Sequence, residues 1–155
     1  MRERINQSVK DAMRSGDKRR LATLRLVTAA IKDRDLAAPS DEKGLATGRE
    51  SISDDEILAL MQKMIKQRRE SITTFAAAGR TDLVEQEESE IAVISEFLPA
   101  QMTDEEMRTA VGGVMKELGC AGLKDMGKVM SVLKERFTGR MDFAKANAAV
   151  KELLK

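Results

Sequence analysis

The residues that could do chemistry fall into four groups, and each is met by a simpler reading. Cys120 is the only thiol. A nucleophilic cysteine needs a base to hold it as thiolate, and the chain has no histidine at all; Cys120, between Gly119 and Ala121-Gly122, reads as a small inert residue at a helix-to-turn junction. The absence of histidine and of a second cysteine also removes the usual zinc sites and any intramolecular disulfide. The acidic run Glu85-Gln86-Glu87-Glu88-Ser89-Glu90 offers paired carboxylates. It lacks the apolar flanks that would split their pKa values, and reads as a solvated or salt-bridged helix face. Asp54-Asp55-Glu56 could hold a metal, but acidic residues in a helix's first turn are favoured by the macrodipole alone. No metal or cofactor is therefore expected.

The fourth group is cationic. Gly122-Leu123-Lys124-Asp125-Met126-Gly127-Lys128 has glycine and lysine but not the Gly-x-x-x-x-Gly-Lys-Ser/Thr phosphate loop, since Val129 stands where the hydroxyl is required. Lys124, Lys128, Lys134, Arg136, Arg140, Lys145, Lys151 and Lys155 could still form a phosphate-contacting surface. Lys124 and Lys128, four apart, share a helix face, and Arg140 precedes a helix N-terminus, itself able to receive a phosphate. The competing reading is ordinary helix solvation. No aromatic residues interleave with the basic ones, so stacking on single-stranded bases has little support. Net charge does not decide, at +1. Distribution helps more: from Lys124 onward eight basic residues face four acidic ones, so the last third is mildly basic.

These residues must be positioned by helices. Aromatics are 3% of the 155 residues, apolar residues 42% and charged residues 34%, and no period-2 segment stands out, which argues against a sheet. Ile5, Val9 and Met13 mark a first helix, ended by Gly16, with Asp17 capping the next. The second carries Leu21, Leu24, Val27, Thr28 and Ile31 on one face. Residues 38–52, broken by Pro39, Gly44 and Gly48, are expected to be a mobile loop. Ser53-Asp54-Asp55-Glu56 is a capping box opening a helix lined by Ile57, Leu60, Met61, Met64, Ile65, Ile72 and Phe75. Gly79 ends it, and a fourth helix runs from Thr81 or Asp82 to Phe97. The short connection predicts a long antiparallel hairpin, in which positions summing to about 159 face each other: Arg69 with Glu90, Lys63 with Glu96.

Pro99 then stops the chain's helical run, and Thr103-Asp104-Glu105-Glu106, a second capping box, restarts it. Phe97, Leu98 and Met102 are the apolar residues that could pin this joint. Three shorter helices follow, lined by Met107, Val111, Val114 and Leu118, then Met126, Val129, Met130, Leu133 and Phe137, then Phe143, Ala146, Val150 and Leu153, the last capped by Asp142. The sequence thus predicts an all-α protein of two helical subdomains, a four-helix part at 1–98 and a three-helix bundle at 99–155. No run of about 18 apolar residues is present for a membrane span. The N-terminus, Met-Arg-Glu-Arg, is not a signal peptide, which makes a cytoplasmic location the expectation. Nothing in the sequence sets the oligomeric state.

Four stretches together carry a resemblance: Lys66-Gln67-Arg68-Arg69-Glu70-Ser71; Phe75-Ala76-Ala77-Ala78-Gly79-Arg80-Thr81-Asp82-Leu83-Val84; Glu96-Phe97-Leu98-Pro99-Ala100-Gln101; and Lys124-Asp125-Met126-Gly127-Lys128-Val129-Met130. They resemble the GatB/YqeY family nearly end to end. The same module resembles the tail of the B subunit of glutamyl/aspartyl-tRNA amidotransferase. There the stretch like Met126–Met130, followed by Gly139-Arg140-x-Asp142 and Asn147, belongs to a helical tail that contacts tRNA. Met141-Asp142-Phe143 departs from the family pattern at the start of the last helix. The resemblance implies a two-part all-α fold and a tRNA-binding module acting beside an aminoacyl-tRNA enzyme; Lys124, Lys128 and Arg140, cations that cluster in the tail-like part around two helix termini, are the expected nucleic-acid contacts. It brings no catalytic site: carbon–nitrogen ligase activity with glutamine as amido donor belongs to the larger enzyme and would attach here by similarity only. The alternative is a helical protein–protein interaction adaptor.

Overall fold

A computed structural model describes residues 1–37 and 51–154. Among them are seven α-helices, one 3-10 turn and no strand, the all-α fold expected. The loop predicted at 38–52 lies, except for Ser51 and Ile52, outside the described residues. The described chain divides into two compact units, Met1–Leu98 and Pro99–Lys155.

The first unit holds α1 (Arg2–Ser15), α2 (Lys18–Leu36), α3 (Asp54–Ala77) and α4 (Thr81–Ser95). Local chemistry sets their ends. Gly16 takes φ 74°, where a side chain would be strained, and its N–H closes α1 on the Ala12 carbonyl. Asp17 caps α2 by accepting from the Arg20 N–H. Ser53 and Glu56 form the expected capping box at α3, each side chain accepting from the other's backbone N–H at 3.2 and 2.6 Å. Gly79, at φ 70°, turns the chain into α4. α4 stops at Ser95, two residues earlier than expected, and Phe97 drops into the core instead.

That core is built on Ile5 and Ala12 of α1, Leu24, Val27 and Ile31 of α2, Ile57, Met61, Met64 and Ile65 of α3, and Ile94 with Phe97. Full burial of one such aliphatic side chain stabilises by about 1.5–3 kcal/mol. Two inward positions differ from the expectation. Met13 is exposed and Ala12 takes its place inward; on α2 the buried polar residue is Thr23, not Thr28. Thr23 remains satisfied by donating to the Arg19 carbonyl.

The hairpin of α3 and α4 forms, but its charges pair differently. Glu90 pairs with Arg68, not Arg69, at 2.8 Å, and Glu96 pairs with Arg20 of α2, not Lys63, at 2.7 and 2.9 Å. One residue along a helix is a rotation of about 100°. Arg68 lies in line with Ile57, Met61 and Met64, whereas Arg69 points to solvent. A second ion pair closes the base of the unit. Arg2 grips Asp35 through two nitrogens at 2.7 and 2.9 Å and also donates to the Ile52 carbonyl, while Asp35 accepts the Ile52 N–H. The end of α2 and the entry to α3 are thereby held together.

The second unit holds α5 (Asp104–Leu118), the 3-10 turn Leu123–Asp125, α6 (Met126–Phe137) and α7 (Phe143–Leu153). Thr103 and Glu106 form the second capping box. Met107, Val111, Val114, Val129, Leu133, Ala146, Ala149 and Val150 make its core. Leu118 and Leu153, expected inward, are exposed, and Met141 and Leu154 are buried in their stead. Met141, the departure from the family pattern, is thus a core residue, and Asp142 beside it caps α7 by accepting from Ala144 and Lys145.

Candidate nucleic-acid interface

The three cations singled out by the sequence lie around α6. Lys124 sits in the 3-10 turn that feeds α6, Lys128 in the helix's first turn, and Arg140 three residues beyond its end; all are exposed. The structure brings Lys124 and Lys128 together at the entrance of the helix. It does not bring Arg140 to them. From Lys128 to Phe137 the axis runs about 14 Å at 1.5 Å per residue, and the Arg140 N–H is bonded back to the Phe137 carbonyl, so Arg140 stays at the far end.

Ion pairing sorts the remaining basic residues. Arg136 is engaged with Glu117 through two bonds of 2.8 Å, which hold the Glu117 carboxyl below its ordinary range. Lys145 reaches Asp104 at 3.3 Å. Lys124, Lys128, Lys134 and Lys151 have no carboxylate within ion-pair distance among the described residues. Lys155 lies outside the described residues. The cations left available for a polyanion therefore start at Lys124 and Lys128.

Neither helix terminus near these cations is an open anion site. The N-terminus of α7, following Arg140, is filled by the Asp142 carboxylate. At α6 the preceding 3-10 turn already uses the first donors: the Asp125 N–H goes to the Gly122 carbonyl and the Met126 N–H to that of Leu123. Asp125 itself accepts from Ala121. Contact with a phosphate must come from side chains. The glycines differ too. At Gly127, exposed on α6, a Cβ would meet nothing within 4 Å, so the backbone there is open to approach. Gly139 is buried at φ 82°, and its carbonyl accepts from the Gln101 amide. Arg140 shares that structural duty: its carbonyl accepts the Met102 N–H at 2.9 Å, and its guanidinium lies 3.4 Å from the Ala100 carbonyl. Sequence reasoning missed this stitch of Pro99–Met102 to the turn before α7.

Asn147 has the one buried side-chain oxygen without a partner among the described residues. Among those residues no group of three or more potential metal ligands occurs, and no helix is long and apolar enough to cross a membrane.

Two helical units, the second with lysines free of carboxylates at one helix entrance among the described residues, define an all-α class. The family model described as Yqey-like protein matches residues 2–154, and the chain belongs to that family. It is 33% identical over 139 residues to altered inheritance of mitochondria protein 41, mitochondrial, of Pyrenophora tritici-repentis, covering 86% of this chain and 71% of that protein. Against the protein of the same name in Lachancea thermotolerans it is 34% identical over 94 residues, 61% of this chain and 46% of the relative. An uncharacterized protein of Schizosaccharomyces pombe is 33% identical over 95 residues, 61% of this chain and 69% of its own. The chain thus spans between about half and seven-tenths of these relatives' lengths. Their names correct the cytoplasmic expectation: relatives that share this module are named as mitochondrial. The expectation rested on the sequence holding no apolar run of signal-peptide or membrane-span type, and a helical module carries no mark of compartment in its packing.

Proposed function

We propose that the second unit is a non-catalytic tRNA-binding module, accessory to aminoacyl-tRNA metabolism. The observation that supports it is the pair Lys124 and Lys128, exposed, free of carboxylates among the described residues, and set beside the open backbone at Gly127. Arg140 extends the contact toward the other end of α6. Cations spread along about 14 Å of helix suit a repeating polyanion better than a single small anion. Phosphate contacts carry affinity but little sequence information, so binding is weakly sequence-selective. Any carbon–nitrogen ligase chemistry is the work of other chains on this reading.

The test is titration of tRNA into the wild type and into the triple variant Lys124→Glu, Lys128→Glu, Arg140→Glu at two salt concentrations. Three phosphate contacts give a slope of log affinity against log salt of about −2 to −3. The triple variant is expected to lose binding while keeping its helix content, since all three side chains are off the core. Absence of wild-type binding at low salt, or equal binding by the variant, rejects the reading. The second reading, a helical protein–protein interaction adaptor, is favoured by the uncovered seam on the hairpin of the first unit.

A further inference from the structure

The hairpin outruns its core. The deepest buried residue toward the tip is Ile65 on α3, and on α4 the only buried residue is Ile94. Beyond Ile65, α3 continues twelve residues to Ala77, about 18 Å. Its inward stripe continues as well. Arg68, Ile72 and Phe75 follow Ile57, Met61 and Met64 at spacings of three and four, and across from them α4 presents Leu83, Glu87 and Glu90 in line with Ile94. Ile72, Phe75, Leu83 and Val84 are only half-buried and belong to neither apolar core. Nearer the base, α1 and α2 contribute to the core that covers this seam. At the tip two helices share it alone, and two helices cannot cover each other's apolar stripes.

The two helices of the tip also differ in charge. From Lys66 to Ala77, α3 carries Lys66, Arg68 and Arg69 against Glu70; α4 carries Asp82, Glu85, Glu87, Glu88 and Glu90 and no cation. Arg68–Glu90 and Arg80–Asp82 are internal pairs. Lys66 and Arg69 on one helix, and Glu85 and Glu88 on the other, are exposed and have no ion-pair partner among the described residues. A surface with an apolar seam between a basic and an acidic edge is self-complementary: a two-fold axis lays the basic helix of one copy along the acidic helix of the other.

We propose that the hairpin tips of two copies of this chain pack around such an axis into an antiparallel four-helix bundle, with Ile72, Phe75, Leu83 and Val84 of each copy in its centre. Arg69 of each, one residue round the helix from Arg68, then faces Glu88 of the other, while Lys66 and Glu85, on the far sides of their helices, add only to the general charge of each arm. A face two helices wide and about 18 Å long presents about 360 Å² per copy. That is under half of the roughly 800 Å² each partner gives to a stable interface, so the association is weak and reversible, with dissociation in the micromolar range.

Sedimentation velocity of the full chain over concentrations up to about 200 µM tests this, at low and high salt. Wild type is expected to pass from monomer to dimer, with weaker dimerisation at high salt. Leu83→Asp should abolish the dimer. Arg69→Glu and Glu88→Arg should each weaken it tenfold or more, and the two changes together should restore it, a rescue that loss of folding cannot mimic. Circular dichroism checks that each variant keeps its helices. A wild type that stays monomeric, a Leu83→Asp protein that still dimerises, or a charge-swapped pair no better than its single changes overturns the proposal.

Discussion

Arg68 is the side chain on which the hairpin's electrostatics turn. Its Nε donates to Glu90 at 2.8 Å and its Nη1 to the Met64 carbonyl at 3.1 Å; the side chains of Arg68 and Glu90 are each only 14% exposed. Glu87, one turn from Glu90, is half-buried, and burial first and then the Glu90 charge push its carboxyl above the ordinary range, with Arg68 acting in the opposite sense. Truncating Arg68 leaves two neighbouring carboxylates without their counter-ion. At an effective dielectric near 20, opposite charges about 4 Å apart attract by about 4 kcal/mol, and desolvation of the pair cancels much of that. Leaving Glu90 unpaired then costs about 2 kcal/mol net. If the first unit melts by itself, each kcal/mol is about 4–8 °C for a domain of this size, so Arg68→Ala should lower its Tm by about 8–16 °C. Arg69→Ala, on the solvent side, should change stability by no more than about 0.5 kcal/mol. Melts followed by circular dichroism, with a double-mutant cycle through Glu90→Gln, measure both. Arg68→Ala within 0.5 kcal/mol of wild type, Arg69→Ala as costly as Arg68→Ala, or additive single changes would refute the reasoning.

Two further outcomes are expected. Asp35 is held below the ordinary carboxylate range by the Arg2 guanidinium first and the Ile52 N–H second. Its pKa is depressed in the folded state, so its contribution is present above the unfolded value and lost as pH falls through the folded one: acidification below about pH 4 should destabilise the first unit, and Asp35→Asn should flatten that loss in melts taken across the acid range. A fragment of residues 1–98 should fold alone, because α1–α4 close on one another around their own core, whereas 99–155, with a smaller core, should be the less stable piece. Circular dichroism of the two fragments decides this, and an unfolded 1–98 contradicts it.

Element ends were legible because their signals are local. Capping boxes at Ser53 and Thr103, the cap at Asp142 and the left-handed glycines at 16, 79 and 119 each involve atoms within a few residues, and the chain reveals them one at a time. Inward faces were legible to within about a residue. Met13 gave way to Ala12 and Leu153 to Leu154, because an apolar residue at a stripe's edge can turn either way and the neighbouring helix chooses.

The candidate site was legible only as an inventory. Lys124, Lys128 and Arg140 could be named from the sequence, and so could Arg136 and Lys145. Only the fold showed that Glu117 and Asp104 occupy the last two, that Asp142 fills the helix end beside Arg140, and that Arg140 stands at the opposite end of α6 from the lysines. Likewise the sequence by itself determined a helical hairpin with a basic and an acidic arm, while tertiary structure decided that Arg68 rather than Arg69 meets Glu90, and that Arg20 rather than Lys63 meets Glu96. The reason is geometric. Periodicity and caps record rotation about one helix axis, whereas an ion pair depends on the relative position of two, and that is fixed by how whole side chains fill the core between them.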